Sequence, residues 1–509
     1  MTRIYALICL LITGLGAKAQ MQNNRVSLAD ASFNKYFFQN HTPHVHGKII
    51  NATKDELAGL NITYTLVTPF SNLQSSRVAA INSDGSFDLS LDYPFPYQQI
   101  WFDLKDYFYA GLYANKDLNL ELDFAKLKQG RVDFVGNGVT YSGTDGAMNL
   151  WMNKQICFKT PVRIDIDRRV HLLNPHDADY FKQLSALFAE QKALNDEFIH
   201  LNPSSYAWMP ENERLSEYYG DVLSAAISLK KEPADWENIK LHKSYLVSNS
   251  GSIFNTHLYE YFRYVKSNIN FRNYHVQDET HKLDSVFGQP YADVLKLKMH
   301  DENIQVYNQM LAELLPTIKT PWCKTVLEKE YKVTTERLRQ VNHILRESKP
   351  LDTDSVLGEP MGQLSFGAKL STVSNMEPEE FLHKLKNKFN GKAIILDFWA
   401  TWCVPCLIEM PYSHKLHDQA TDLPVEFVYI CTSQGSNIDV WKTKIAELKQ
   451  PGIHLFIDEI LVKKIMTMFD KSGFPSYVCL DQSGQVQTGV ISRMSIARLD
   501  DIKKLTGNK

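Results

Sequence analysis

Cys403 and Cys406 lie three positions apart in Trp402-Cys403-Val404-Pro405-Cys406, directly after the apolar run Ala393-Ile394-Ile395-Leu396-Asp397-Phe398. Two thiols at this spacing can close to a disulfide and reopen, hold a fold as a staple, or supply half of a zinc site. A four-coordinate zinc site needs two further ligands at matching spacing. Neither a second CxxC nor an H-x₃₋₅-H pair follows downstream, so the redox reading leads. A thiolate, not a thiol, attacks a disulfide, so the first cysteine needs a lowered pKa. A helix beginning at Cys403 supplies unpaired N–H groups and the positive end of its dipole. Pro405 suits the first helical turn, where its missing N–H is no loss. This layout predicts Cys403 as the exposed nucleophile and Cys406, one turn inside, as the resolving thiol.

The stretch DFWATWCVPC resembles the thioredoxin superfamily. Its continuation Leu407-Ile408-Glu409-Met410-Pro411 makes CxPCxxExP, which resembles the secreted bacterial branch, the TlpA/ResA-like thiol–disulfide oxidoreductases. The resemblance places Asp397 where thioredoxins keep a buried carboxylate. An acid within an apolar strand is desolvated, its pKa rises, and it can accept a proton from the resolving thiol. A strand-end acid reaching water is the alternative. Glu409 falls where ResA-like proteins carry a glutamate near the dithiol, with a solvated first-turn acid as the alternative. Pro411 matches the proline inside the active-site helix, and Gly473-Phe474-Pro475-Ser476-Tyr477 resembles the loop bearing the superfamily's cis-proline. There Phe474 and Pro475 would present backbone beside Cys403 for a substrate chain to pair as an extra strand. Trp402 would flank the dithiol as apolar surface, and Trp399 would flank it too or belong to the core. The resemblance implies a reductase of exported cysteine-containing proteins such as apocytochrome c. A membrane thiol-transfer protein would be its electron donor, and the Cys403–Cys406 disulfide its only redox group, with no separate cofactor. A disulfide oxidase or isomerase is the nearest alternative, because Val404 departs from the Gly-Pro pair of cytosolic thioredoxins and leaves the potential open. An envelope binding or scaffold protein with an accessory redox domain is the other.

Around this site the apolar periodicity defines the supporting elements. Val425 to Cys431 and Ile453 to Ile457 read as buried strands, and Tyr477 to Leu480 with Gln485 to Val490 as a hairpin. Helical stretches run from about Val440 to Leu448, Ile460 to Phe469 and Ser495 to Leu505. Strands alternating with helices make residues 355–509 a mixed α/β thioredoxin-like domain. Residues 40–142 alternate in short runs between turn residues and predict an antiparallel β-sandwich. Residues 143–348 carry helical spacing over 178–198, 215–229, 235–247, 253–265, 293–315 and 322–347, an all-α region dense in aromatics that read as core. Residues 349–354 read as a linker. The expected architecture is thus multidomain.

Met1-Thr2-Arg3, the apolar Ala6 to Leu15 and Ala17-Lys18-Ala19 before Gln20 read as a signal peptide over residues 1–19. That predicts export to the periplasm or cell envelope, without stable membrane insertion. The formal net charge of −3 and the lack of a basic tract argue against nucleic acid as a partner. An oxidising compartment would permit a Cys157–Cys323 bond. In a thioredoxin-like sheet, as the resemblance implies, Cys431 and Cys479 would belong to strands separated by the one carrying Asp397. Two strand spacings of about 4.8 Å exceed the roughly 7 Å limit for a disulfide, so both are expected free and buried. His44 and His46 would share one strand face near His41. No carboxylate or cysteine close along the chain completes a ligand set, so the expectation is a solvated strand start and no metal.

Overall fold

The computed structural model describes residues 25–71, 74–267, 275–351, 357–374 and 376–507. The signal-peptide segment and residues 352–354 of the expected linker lie outside the described residues. The chain divides into two compact units, one of residues 1–300 with 313–328, the other of residues 301–312 with 329–509.

The C-terminal unit is built on a seven-stranded sheet. Its strands are β1 (Glu359–Gln363), β2 (Lys369–Val373), β3 (Ala393–Trp399), β4 (Val425–Thr432), β5 (Ile453–Ile457), β6 (Ser476–Leu480) and β7 (Val486–Gln487). They lie in the order β1-β2-β5-β4-β3-β6-β7. The β2–β5, β5–β4 and β4–β3 pairs are parallel, and β1–β2, β3–β6 and β6–β7 antiparallel. Helices α1 (Pro378–Lys388), α2 (Val404–Gln419), α3 (Ile438–Leu448), α4 (Glu459–Met468) and α5 (Leu499–Leu505) accompany it. Every residue of β3 is buried, which is why it reads as an unbroken apolar run. Successive side chains of a strand point to opposite faces. Accordingly Ile394, Leu396 and Phe398 join one apolar cluster, while Ala393, Ile395 and Trp399 join another that contains Cys403 and Cys406. Asp397 shares the parity of the second set. The expected hairpin and last helix are shorter than their periodicity predicts. Lys349, the expected start of the linker, already exchanges backbone hydrogen bonds with Gln363 at 2.9 and 2.8 Å.

In the N-terminal unit a four-stranded sheet joins Ser86–Leu89, His44–Ile50, Asp117–Asp123 and Val139–Ser142 in that spatial order. A five-stranded sheet joins Gln74–Ala79, Ile62–Val67, Gln98–Leu104, Phe108–Ala114 and Val132–Asp133. One apolar cluster draws on both, including Val45, Ile49, Leu118 and Leu120 with Ile62, Ile100, Phe102 and Phe108. Pairing is not antiparallel throughout: His44–Ile50 runs parallel to Asp117–Asp123, and Phe108–Ala114 parallel to Val132–Asp133. Helices follow, among them Gly146–Cys157, Tyr180–Leu201, Trp208–Leu229 and Asn249–Tyr261. Tyr259, Tyr261 and Phe262 are buried in it, as core aromatics are. The expected helix 293–315 is two, Tyr291–Lys296 in this unit and Ile304–Leu314, most of which is assigned to the other, because Asn303 Oδ1 accepts the N–H groups of Gln305 and Val306 and starts a new helix. The helix expected over 235–247 ends at Leu241.

Candidate functional site

Strand β3 ends at Trp399, and Ala400-Thr401-Trp402 carry the chain to Cys403, which caps α2. Cys403 N–H donates to Ala400 O at 3.1 Å, and Cys403 Sγ accepts the Cys406 N–H at 3.2 Å. The first sulfur therefore receives one of the helix's free N–H groups, where negative charge is favoured. Cys403 and Cys406 are joined as a disulfide, with Cα atoms 5.3 Å apart. Pro405 lies in the first turn and Pro411 inside the helix, where it cannot bond back to Leu407 O.

The expectation of an exposed Cys403 does not hold in this disulfide state. Cys403 is 4 % and Cys406 2 % exposed, both within the apolar cluster of the β3 face. What faces outward is apolar side chain beside the disulfide: Trp402 at 42 % exposure, with Val404 and Ile408. Trp402 stands edge-on to Phe474, ring centroids 5.9 Å apart, and its Nε1–H donates to Gln434 O at 2.7 Å. Phe474–Pro475 is a cis peptide bond, as the resemblance implies. Trp399, by contrast, is core.

Asp397 is buried at the centre of β3, paired in register with Tyr429 of β4 and Tyr477 of β6. Burial first, and the Glu409 carboxylate second, push its pKa up to about 8. Among the described residues its Oδ1 has no hydrogen-bond partner, nor has the Tyr477 hydroxyl opposite. A buried polar group left unpaired costs about 1–3 kcal/mol, a cost that chemistry at this position explains better than stability does. Glu409 is half-buried and not simply a solvated helix acid. Its carboxylate accepts the Ser495 N–H at 2.9 Å and the Ser495 hydroxyl at 2.8 Å.

Ser495 and the Gln434-Gly435 turn are the parts that sequence reasoning missed. Ser495 lies 86 residues from Glu409, and no local pattern links the two. Gly435 carried a usable signal, a glycine in a turn between strand and helix. Its φ is +66°, and a Cβ there would come within 2.9 Å of Trp402 Nε1, so only glycine lets the turn hold the indole. Cys431 and Cys479 are free and buried on strands flanking β3, as expected, and burial pushes both thiols up to about 12. Cys157 and Cys323 are unpaired with each other.

Residues 367–498 match the family model described as Redoxin. The chain is 28 % identical over 148 residues to "Thiol-disulfide oxidoreductase ResA" of Bacillus anthracis, covering 28 % of this chain and 79 % of that protein. It is 33 % identical over 98 residues to "Thioredoxin-like protein YneN" of Bacillus subtilis, covering 19 % of this chain and 55 % of that protein. Among solved structures, the thioredoxin domain of a thiol–disulfide oxidoreductase from Bacteroides vulgatus is similar at 25 % identity and a TM-score of 0.20. That match spans 24 % of this chain and 81 % of that one.

Proposed function

We propose, from a C-terminal domain that is a thioredoxin-superfamily domain of the ResA/TlpA-like thiol–disulfide oxidoreductases, that this chain reduces protein disulfides outside the cytoplasm. The observation that carries the reading is Cys403 at the cap of α2, its sulfur accepting the Cys406 N–H, on the face of the sheet that holds buried Asp397. In the reduced enzyme the Cys403 thiolate attacks a client disulfide. One client sulfur leaves as a thiol and the other stays bonded to Cys403. Cys406 then loses its proton to Asp397 and attacks Cys403 Sγ, which releases the second client thiol and restores the Cys403–Cys406 bond. Glu409 keeps negative charge near Asp397 and so holds its proton affinity high. Trp402, Phe474 and Pro475 form the client surface. Clients are exported cysteine-containing proteins, apocytochrome c among them, and a membrane thiol-transfer protein supplies the electron pair. No cofactor beyond the dithiol is needed. The segment 1–19 directs export, and no described helix is long and apolar enough to cross a membrane. The β-sandwich of residues 40–142 and the helical region of 143–348 precede the redox domain of 355–509.

Cys406→Ser tests the reading, because it leaves the attack intact and removes resolution. The variant should accumulate mixed disulfides with cell-envelope proteins through Cys403, separable by non-reducing electrophoresis and named by mass spectrometry. If no adduct forms, the exchange function fails. The direction is tested by equilibrating the dithiol with glutathione. A potential more negative than about −200 mV fits a reductase, whereas a value near the roughly −120 mV of a strong oxidant reverses it.

A further inference from the structure

We propose that His44, His46 and Asp117, on the outer face of the four-stranded N-terminal sheet, bind a divalent first-row metal ion of the zinc type, with Asp88 orienting His44. This site lies outside the redox domain and has no part in the dithiol chemistry. It departs from the sequence expectation of no metal, which rested on the lack of a carboxylate close along the chain. The carboxylates arrive from neighbouring strands instead.

Val45 points into the core, so His44 and His46 on either side of it project outward together. The parallel partner strand places Asp117 opposite His44, and the antiparallel partner places Asp88 opposite His46. His44 Nδ1 lies 3.5 Å and His46 Nδ1 3.7 Å from the same atom, Asp117 Oδ1. One ligand atom from each of the three residues falls within 4.8 Å of the others. Ligands about 2.0–2.1 Å from a tetrahedral zinc stand about 3.3 Å from one another, so the two histidine-to-Asp117 distances sit a few tenths of an ångström outside a closed site.

Three further features fit an ion better than a chance cluster. The two nitrogens of His44 are divided, Nδ1 facing Asp117 while Nε2 meets Asp88 Oδ1 at 2.9 Å. A ligating histidine typically gives its second N–H to a carboxylate, which fixes the tautomer and the ring. His46 Nδ1 is shielded from solvent yet makes no hydrogen bond among the described residues, an orphan that a metal would satisfy. Asp117 is also held in place. Its backbone carbonyl accepts the Asp145 N–H at 2.8 Å, and its Oδ2 lies 2.5 Å from where a Cβ on Gly143 (φ +82°) would stand. Any side chain there would displace the carboxylate. Two imidazoles and one carboxylate suit zinc, nickel or copper(II), and three protein ligands leave one position open to solvent.

The test is calorimetric titration of the untagged full chain with zinc chloride, the Cys403–Cys406 disulfide kept closed so that its thiolates do not compete, and with Cys157→Ser, the one partly exposed free cysteine among the described residues, as a control. One equivalent should bind. His46→Gln and Asp117→Asn should each weaken it at least tenfold, and Asp88→Asn by about tenfold, the order seen when an outer carboxylate partner is lost. Cobalt(II) should give a visible ligand-field spectrum that His44→Gln abolishes, and circular dichroism without metal checks that each variant folds. No binding to the parent chain overturns the proposal. So does binding of unchanged affinity in folded His46→Gln and Asp117→Asn proteins.

Discussion

Cys403→Ser is expected to reduce disulfide exchange to the uncatalysed background, a loss on the order of 10³-fold or more. The helix end that receives the Cys403 sulfur offers roughly half an elementary positive charge and a direct N–H from Cys406 at 3.2 Å. That environment brings a thiol's pKa into the working range. A serine hydroxyl starts far too high for the same environment to ionise it. The control has to separate chemistry from stability, because either cysteine variant also removes the disulfide. Closing so small a loop is worth about 2 kcal/mol by chain entropy, and the two variants lose it equally. Cys403→Ser and Cys406→Ser should therefore melt at similar temperatures and differ in behaviour. The first should neither turn over nor trap clients, while the second should trap without turning over. Turnover is read on a fluorescent peptide disulfide. If Cys403→Ser retains a tenth of the parent rate, Cys403 is not the nucleophile.

How far the sequence predicted this site follows from how local each feature is. β3 and the cap of α2 were legible because they are contiguous: seven buried residues in a row, then a cysteine and a proline at the first helical turn. The side of the sheet taken by Asp397 follows from parity along one strand. The clamp of Ser495 on Glu409 and the meeting of Asp117 with His44 depend on chain partners far away, and no pattern within a window records them. The burial of Cys403 was missed for another reason: both cysteines of the closed disulfide pack into the apolar cluster of the β3 face, which the spacing of two cysteines does not record. Strands β1 and β2 and helix α1 went unread too. Glu-Pro-Met-Gly-Gln of β1 has a proline, a glycine and three exposed residues at a sheet edge, so it carries none of the alternation of a half-buried strand. The same locality explains the parallel pairing of His44–Ile50 with Asp117–Asp123: alternation identifies strands, and topology alone sets their relative direction.

Asp397→Asn should make the protein more stable and a worse enzyme. With the disulfide closed, Asp397 titrates near about 8, whereas an aspartate in an unfolded chain titrates near about 3.9. Between those values the native state holds a proton that the unfolded state has released. Stability therefore falls as pH rises from about 4 and levels off above about 8. At pH 7 the difference amounts to roughly 4 kcal/mol, all of it set against the native state. Asparagine keeps the shape and carries no charge. The variant should gain roughly 2–4 kcal/mol at pH 7 to 8 and almost nothing at pH 4, read by denaturant titration at each pH. Exchange should move the other way. Below pH 8 the carboxyl is mostly protonated, and above it the carboxylate can take the Cys406 proton, so the parent's resolution rate should climb through about 8. Removing a positioned base costs about 10²-fold or more, and the climb should flatten in the variant. Stopped-flow decay of the mixed disulfide isolates that step. A variant less stable than the parent at pH 7.5 would mean that Asp397 is not held as a desolvated acid. Equal resolution rates at pH 8 would mean that some other group receives the proton. The unpaired Asp397 Oδ1 argues against both outcomes, because a fold selected for stability alone would have paired or replaced it.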